Sequence, residues 1–494
     1  MRTVNILDRL HAFCASAILI LSCSDGNVCV SEDCPPIWPD YAGVTVPVNI
    51  APLDFGVKPG SGYSALKVSV FDSTGEEVLS SGGDCTCFGL KRWHGTLAAN
   101  AGSFLEFRVM MKNAEGWTRF APLRMNVSRD SIDYGLTYRR IFPGYQSFGH
   151  MGIYERRLSD FSERMLTDSR MLDAGCVNCH AQNRTDPRQY SLHVRGAHSA
   201  TMLAREGLTE YLDTRTDSTG GFFVYPYWHP SGKYIAYSVN TTRQSFYSAH
   251  DKKIEVYDEA SDVIVYCPDT REILRPALLN SKASLETKPA FSADGRTLYF
   301  CTAPAGKMPE DIRDTKYSLC SIAFNPEDGT FGSEVDTLVS AASTGLSLAS
   351  PRPSYDGKYI LLTASDFGTF MIWHKEADLW MYNLSDGNLY PAGGINSPDT
   401  DSFHNWSSNS KWAVVATRRE DGLHTMLHIA HIGEDGRFAK SFLLPQRDPV
   451  RYYGRMMDSY NTPDFTSGPS PLDARAMRKG IVSDRRDKVR LRHE

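Results

Sequence analysis

Cys176, Cys179 and His180 lie in the segment Ala-Gly-Cys-Val-Asn-Cys-His-Ala-Gln-Asn, and this Cys-x-x-Cys-His spacing is the sharpest chemical signal in the chain. Chance is a poor explanation at the frequencies set by 11 cysteines and 14 histidines in 494 residues. A zinc ion needs ligands at about 2.0–2.3 Å in a tetrahedron, which adjacent Cys179 and His180 would strain to supply. No second Cys-x-x-Cys follows to complete a zinc set. A thioredoxin-type dithiol belongs at the start of a helix in a βαβ unit, a setting the flanks do not suggest. Covalent haem c suits the spacing better. On one helical turn two thiols three residues apart share a face and reach two porphyrin vinyl groups, and His180 is then directed towards the iron as proximal ligand.

The sixth iron ligand is less sharply marked. His193 lies 13 residues beyond His180 and is the first choice, with Arg195 beside it as a partner for a haem propionate. Met202, Met151 and Met456 are alternatives, though methionine is usually core filler. A second imidazole would give a lower potential than a thioether, and an open position would permit peroxide or gas chemistry. His229 stands where other copies of a repeat carry serine, and reads as structural.

Haem attachment requires export, and the N-terminus supplies an independent sign of it. Arg2 and Arg9 precede the apolar run 10–22, too short for the roughly 20 residues that span a bilayer and suited to a signal peptide. Its end, Ile20-Leu21-Ser22-Cys23, resembles the lipobox of bacterial lipoproteins, which implies acylation of Cys23 and a membrane anchor, most naturally in the outer membrane. Setting aside Cys14, Cys23 and the motif pair leaves seven cysteines, an odd number that cannot all pair. Cys29 with Cys34, and Cys85 with Cys87, are candidate disulfides, while Cys267, Cys301 and Cys320 sit in apolar strand-like runs.

The elements around the motif read as mainly β. Residues 44–135 alternate apolar and polar positions between Gly and Asn turns, as in Leu66–Phe71, and suggest a small β-sandwich. Residues 136–215 have near-helical apolar spacing with abundant charge, as in Tyr154–Met165, and suggest a short helical segment carrying the haem motif. Between 222 and 445 a repeat recurs at intervals of 53 to 63 residues, beginning at Pro226, Pro289, Pro351 and His404. Each copy has a tight turn followed by a β-rich run, the signature of a β-propeller with loop insertions. The expected layout is signal peptide 1–22, linker 23–43, β-sandwich-like domain 44–135, helical haem segment 136–215, propeller 216–450 and C-terminal extension 451–494. The basic tail from Ala474 is expected to be disordered.

The Pro-x-Phe-Ser-x-Asp-Gly core of these copies resembles the TolB-like propeller repeat, in three copies closely and in the fourth with Asn409-Ser410 in place of Asp-Gly. The resemblance implies five or six blades and a structural motif with no active site of its own. The hydrolase domain that follows the propeller in prolyl oligopeptidases is not expected, and no Gly-x-Ser-x-Gly elbow occurs. Taken with Met151–Arg156, Leu192–Gly196, Tyr225–Pro230, Ile254–Asp258 and Ser459–Pro463, the chain resembles exported bacterial proteins described as TolB-like or cytochrome c biogenesis-like. That resemblance implies one haem c joined to a propeller.

The formal charge of -5, from 53 basic and 58 acidic residues, gives no electrostatic reason to expect nucleic acid. The leading expectation is a membrane-anchored monohaem electron-transfer protein whose propeller docks a redox partner or a membrane-associated complex. Two other readings are a peroxidase-like haem enzyme, and a propeller that binds glycan or peptide with haem as a staple.

Overall fold

The computed structural model describes residues 28–143, 150–173, 175–216, 221–248 and 251–492. The signal segment and Cys23 lie outside them.

Alternating β runs joined by tight turns build six antiparallel sheets whose innermost strands neighbour one another in a closed ring. The molecule is thus a six-bladed β-propeller. Its second to sixth blades begin with the inner strands Cys176–Asn183, Phe223–Trp228, Ser284–Phe291, Ser347–Pro353 and Asp401–Trp406. The first blade is split across the sequence: Gly135–Ile141, Met151–Arg157 and Glu163–Asp168 are joined by Ser459–Thr466, which pairs with Gly135–Ile141 as the inner strand. Strands from both ends of the propeller thus share one sheet, which closes the ring.

The described residues of 136–215 therefore form strands of the first and second blades, and the expected helical segment is corrected to β-structure; among them the only helical turn is Ser169–Leu172. Near-helical apolar spacing with abundant charge in Tyr154–Met165 suggested helix. In the structure those charges have partners: Glu155 is buried and accepts from Arg164 of the neighbouring strand at 2.9 Å, and buried Arg156 donates outside the sheet to the Pro445 carbonyl at 2.7 Å.

The turns follow local chemistry. Ser292, Ser354 and Ser407 each bond the second residue onward and accept from the backbone of the next strand. Gly295 has φ +75°, and a Cβ there would lie 2.0 Å from Nε2 of His229. His229 bonds the Gly295 carbonyl at 3.0 Å, so it links the third blade to the fourth.

The N-terminal unit is a seven-stranded sheet that already includes Cys29–Val30, and it carries a ten-residue helix, Leu90–Ala99, within the expected all-β sandwich. Its apolar core is continuous with Trp412, Val414 and Phe442 of the sixth blade. The basic tail is ordered, contrary to expectation. Asp473 caps helix Ala474–Val482, which buries Met477 and Ile481. Asp487–Lys488 and Arg490–Leu491 then add parallel strands to the outer edges of the second and third blades. All nine described cysteines are free thiols, including both expected disulfide pairs. Among the described residues no helix is long and apolar enough to cross a membrane.

Candidate functional site in the propeller channel

A cavity of about 830 Å³ runs down the propeller axis and is lined from all six blades. Its size falls within the usual range for small-molecule sites, roughly 300–1,000 Å³. Cys176, Cys179, His180 and Arg195 all line it.

These residues reach the channel through a shared backbone device. Each inner strand bulges: the register slips at Asn178/Ala181, Val224/Tyr227, Thr287/Ala290, Ala349/Arg352 and Asp401/His404, and again opposite Thr137/Arg139. Cys179, Tyr225, Lys288, Ser350 and Thr462 occupy equivalent bulge positions with φ between 46° and 53°. Such left-handed backbone at non-glycine residues is uncommon and persists where packing enforces it. A bulge re-aims side chains, here towards the axis. The residue after the left-handed one is Pro226, Pro289, Pro351 or Pro463 in four blades and His180 in the second; in the sixth the repeat aligns His404 with them, but there the slip falls one residue earlier and His404 pairs with Val415.

The two histidines differ in their bonding. His404 directs Nε2 to the Leu361 carbonyl at 2.9 Å and Nδ1 to Thr363 at 3.4 Å. His180 is 5% exposed, and neither of its ring nitrogens makes a hydrogen bond of proper geometry. Its ring stacks on Tyr190 at 6.2 Å. Burial, then the Arg139 charge, presses its pKa down to about 3, with the nearby Thr137 and Thr462 carbonyls opposing the shift. It is therefore a neutral imidazole with free nitrogen lone-pair capacity, the form in which histidine binds a metal.

Burial likewise raises the Cys176 thiol pKa, against the pull of Arg139 and Arg195. Across the channel, Lys288 donates to Ser350 at 3.2 Å and to the Thr369 carbonyl at 2.6 Å, and burial lowers its pKa to about 8. Asp464 is raised to about 6 by burial, with Arg352 and Asn405 opposing. Among the described residues no cluster of three or more His, Cys, Asp or Glu is arranged around a single metal ion.

His193 pairs across the strands with Asn178 but does not line the channel. Its Nδ1 faces Thr201 at 3.0 Å, its ring lies 4.9 Å from Phe222, and its Nε2 is buried without a partner. Of the three methionine alternatives, Met151 lines the channel, whereas Met202 and Met456 are buried in apolar clusters. Sequence reasoning missed Arg139, Tyr225 and Lys288. The latter two were detectable as the residues just before the repeat's proline; Arg139 has no such mark.

The donor set suits a haem: two thiols open to the cavity, an unpartnered neutral imidazole, and guanidinium groups for carboxylates. The motif would hold it from a bulged strand, with Cys176 paired opposite Arg195 ahead of the register slip and Cys179 and His180 within it.

No protein-family model matches the chain, and no curated protein matches it. Among solved structures, TolB from Acinetobacter baumannii is similar at 14% identity and TM-score 0.43, over 76% of this chain and 85% of its own. Prolyl oligopeptidase B from Galerina marginata is similar at 10% identity and TM-score 0.35, over 70% of this chain and 46% of its own. The tricorn protease shows 12% identity and TM-score 0.32, over 69% and 34% respectively. At these values the likenesses define neither family nor activity, and the propeller rests on its own strand topology.

Proposed function

We propose that the protein is an exported c-type haem protein for electron transfer, its single haem seated in the propeller channel and its blades presenting a docking surface to a redox partner. The observation that carries this reading is the contrast between two histidines at one repeat position. His404 has both ring nitrogens hydrogen-bonded; His180, next to two thiols that line the cavity, makes no hydrogen bond of proper geometry, the Thr137 and Thr462 carbonyls only approaching its ring. Buried polar atoms left unpartnered cost about 1–3 kcal/mol each, so such a site calls for a ligand.

Cys176 and Cys179 would form the thioethers, and His180 and Met151, which line the same cavity, would hold the iron. When bound, the haem supplies reversible one-electron exchange. The chain does the rest. Burial keeps His180 unprotonated, the bulge holds Cys179 towards the axis, and the apolar walls Ile141, Phe142 and Phe222 limit water. Acylation of Cys23 would tether the protein to a membrane facing the periplasm or the cell surface.

The test is optical. Full-length protein made with a haem-maturation system should give a pyridine-haemochrome spectrum of the c type that survives acid-acetone extraction. A colourless product would end the proposal.

A further inference from the structure

The channel is strongly cationic in a chain of net charge -5. Among the described residues, Arg139, Arg195, Arg215, Lys288 and Arg352 line it against one carboxylate, Asp464. Three of these cations are accounted for. Arg215 lies 3.7 Å from Asp213, Lys288 has its two hydrogen bonds, and Arg352 stacks over Tyr227 beside Asp464.

Arg139 and Arg195 are not. Among the described residues neither forms an ion pair, and the Nε of each is buried without a partner. Arg139 is 8% exposed and stands on Gly135–Ile141 of the first blade; Arg195 ends the second strand of the second blade, directly opposite Cys176. The two charges oppose one another, and burial adds to the cost, lowering the Arg139 pKa. An uncompensated buried charge costs several kcal/mol, and a guanidinium is matched best by a carboxylate or phosphate.

We propose that Arg139 and Arg195 form an anion clamp that recognises the two carboxylates of a tetrapyrrole non-covalently, before and independently of thioether formation. The apolar wall beside the pair, Ile141, Phe142 and Phe222, suits the flat body of such a ligand. The inference deepens the haem reading and rests on it for the class of ligand. It assigns Arg139 a binding role and gives the folded channel an affinity of its own.

The experiment uses full-length protein carrying Cys176→Ser and Cys179→Ser, which cannot form thioethers, titrated with protoporphyrin IX and separately with its dimethyl ester by porphyrin fluorescence. The free diacid should bind at least tenfold more tightly than the diester. Arg139→Gln and Arg195→Gln should each weaken diacid binding tenfold or more with little effect on the diester, and Arg139→Lys should recover part of the loss. Comparing two ligands on one protein keeps the test valid if a variant folds poorly. Equal affinity for diacid and diester, an unchanged affinity in Arg139→Gln, or no porphyrin binding would each overturn the clamp. Wild-type protein that emerges haem-free from the maturation strain would instead overturn the covalent-haem reading alone, because the titration needs no thiols.

Discussion

Lowering the pH should loosen the propeller through His404, which sits wholly buried on the inner strand of the sixth blade. Burial, ahead of the opposing Leu361 carbonyl bond, brings its folded-state pKa to about 3, while an unfolded histidine titrates near 6.5. Between those values the unfolded chain binds the extra proton, so stability is fully present above pH 6.5 and is lost as pH falls towards 3. From pH 7 to pH 5 this amounts to about 1.5 pH units below the unfolded value, or about 2 kcal/mol. The perturbation is His404→Gln, whose amide can still donate to the Leu361 carbonyl and does not titrate. Losing the imidazole's packing and its weaker bond to Thr363 should cost about 1 kcal/mol at pH 7. Urea unfolding of both proteins at pH 7 and pH 5 isolates the His404 share, because other buried histidines titrate equally in each. Wild type should lose about 2 kcal/mol more than the variant over that interval. Equal losses would refute the assignment of a neutral, desolvated His404.

Deleting residues 474–494 should destabilise the propeller by about 4 kcal/mol or more, since fully burying side chains such as Met477, Ile481 and Val489 is worth roughly 1.5–3 kcal/mol each. It should also promote self-association by uncovering the outer edges of the second and third blades; wild-type stability in a sedimentation-checked monomer would contradict this. Gly295→Ala should cost about 2 kcal/mol or more through its positive φ and the displacement of His229, read as a lower denaturation midpoint with an unchanged slope. In haem-loaded protein, Met151→Ala should abolish the spectroscopic signature of a thioether ligand while His193→Gln leaves it intact. A bis-histidine spectrum in the wild type that His193→Gln removes and Met151→Ala leaves unchanged would assign the sixth position to His193 instead.

The repeat at Pro226, Pro289, Pro351 and His404 made four blades legible, because serine and Asp-Gly turns announce themselves locally. The first two blades were not legible from such turns. In the second, the left-handed turn residue is Arg184 with φ +55°, where the third, fourth and fifth blades use glycine and the sixth Ser410. The first is assembled from segments more than 300 residues apart, Gly135–Ile141 and Ser459–Thr466, and no local pattern reveals that pairing. The tail misled for a related reason: its arginines suggested solvation, while the i, i+4 pair Met477 and Ile481 is what anchors the helix. At the site, the Cys-x-x-Cys-His spacing identified three residues that share one cavity. Their helical setting was wrong because His180 occupies the propeller's own proline position, a fact visible only once the second blade is aligned with the others.

Covalent haem attachment is decided by mass spectrometry of the peptide spanning 176–183 from protein matured with haem. This peptide should carry the mass of one haem, bound through both cysteines, and Cys176→Ser with Cys179→Ser should remove it. An unmodified peptide with two free or disulfide-linked thiols would contradict it.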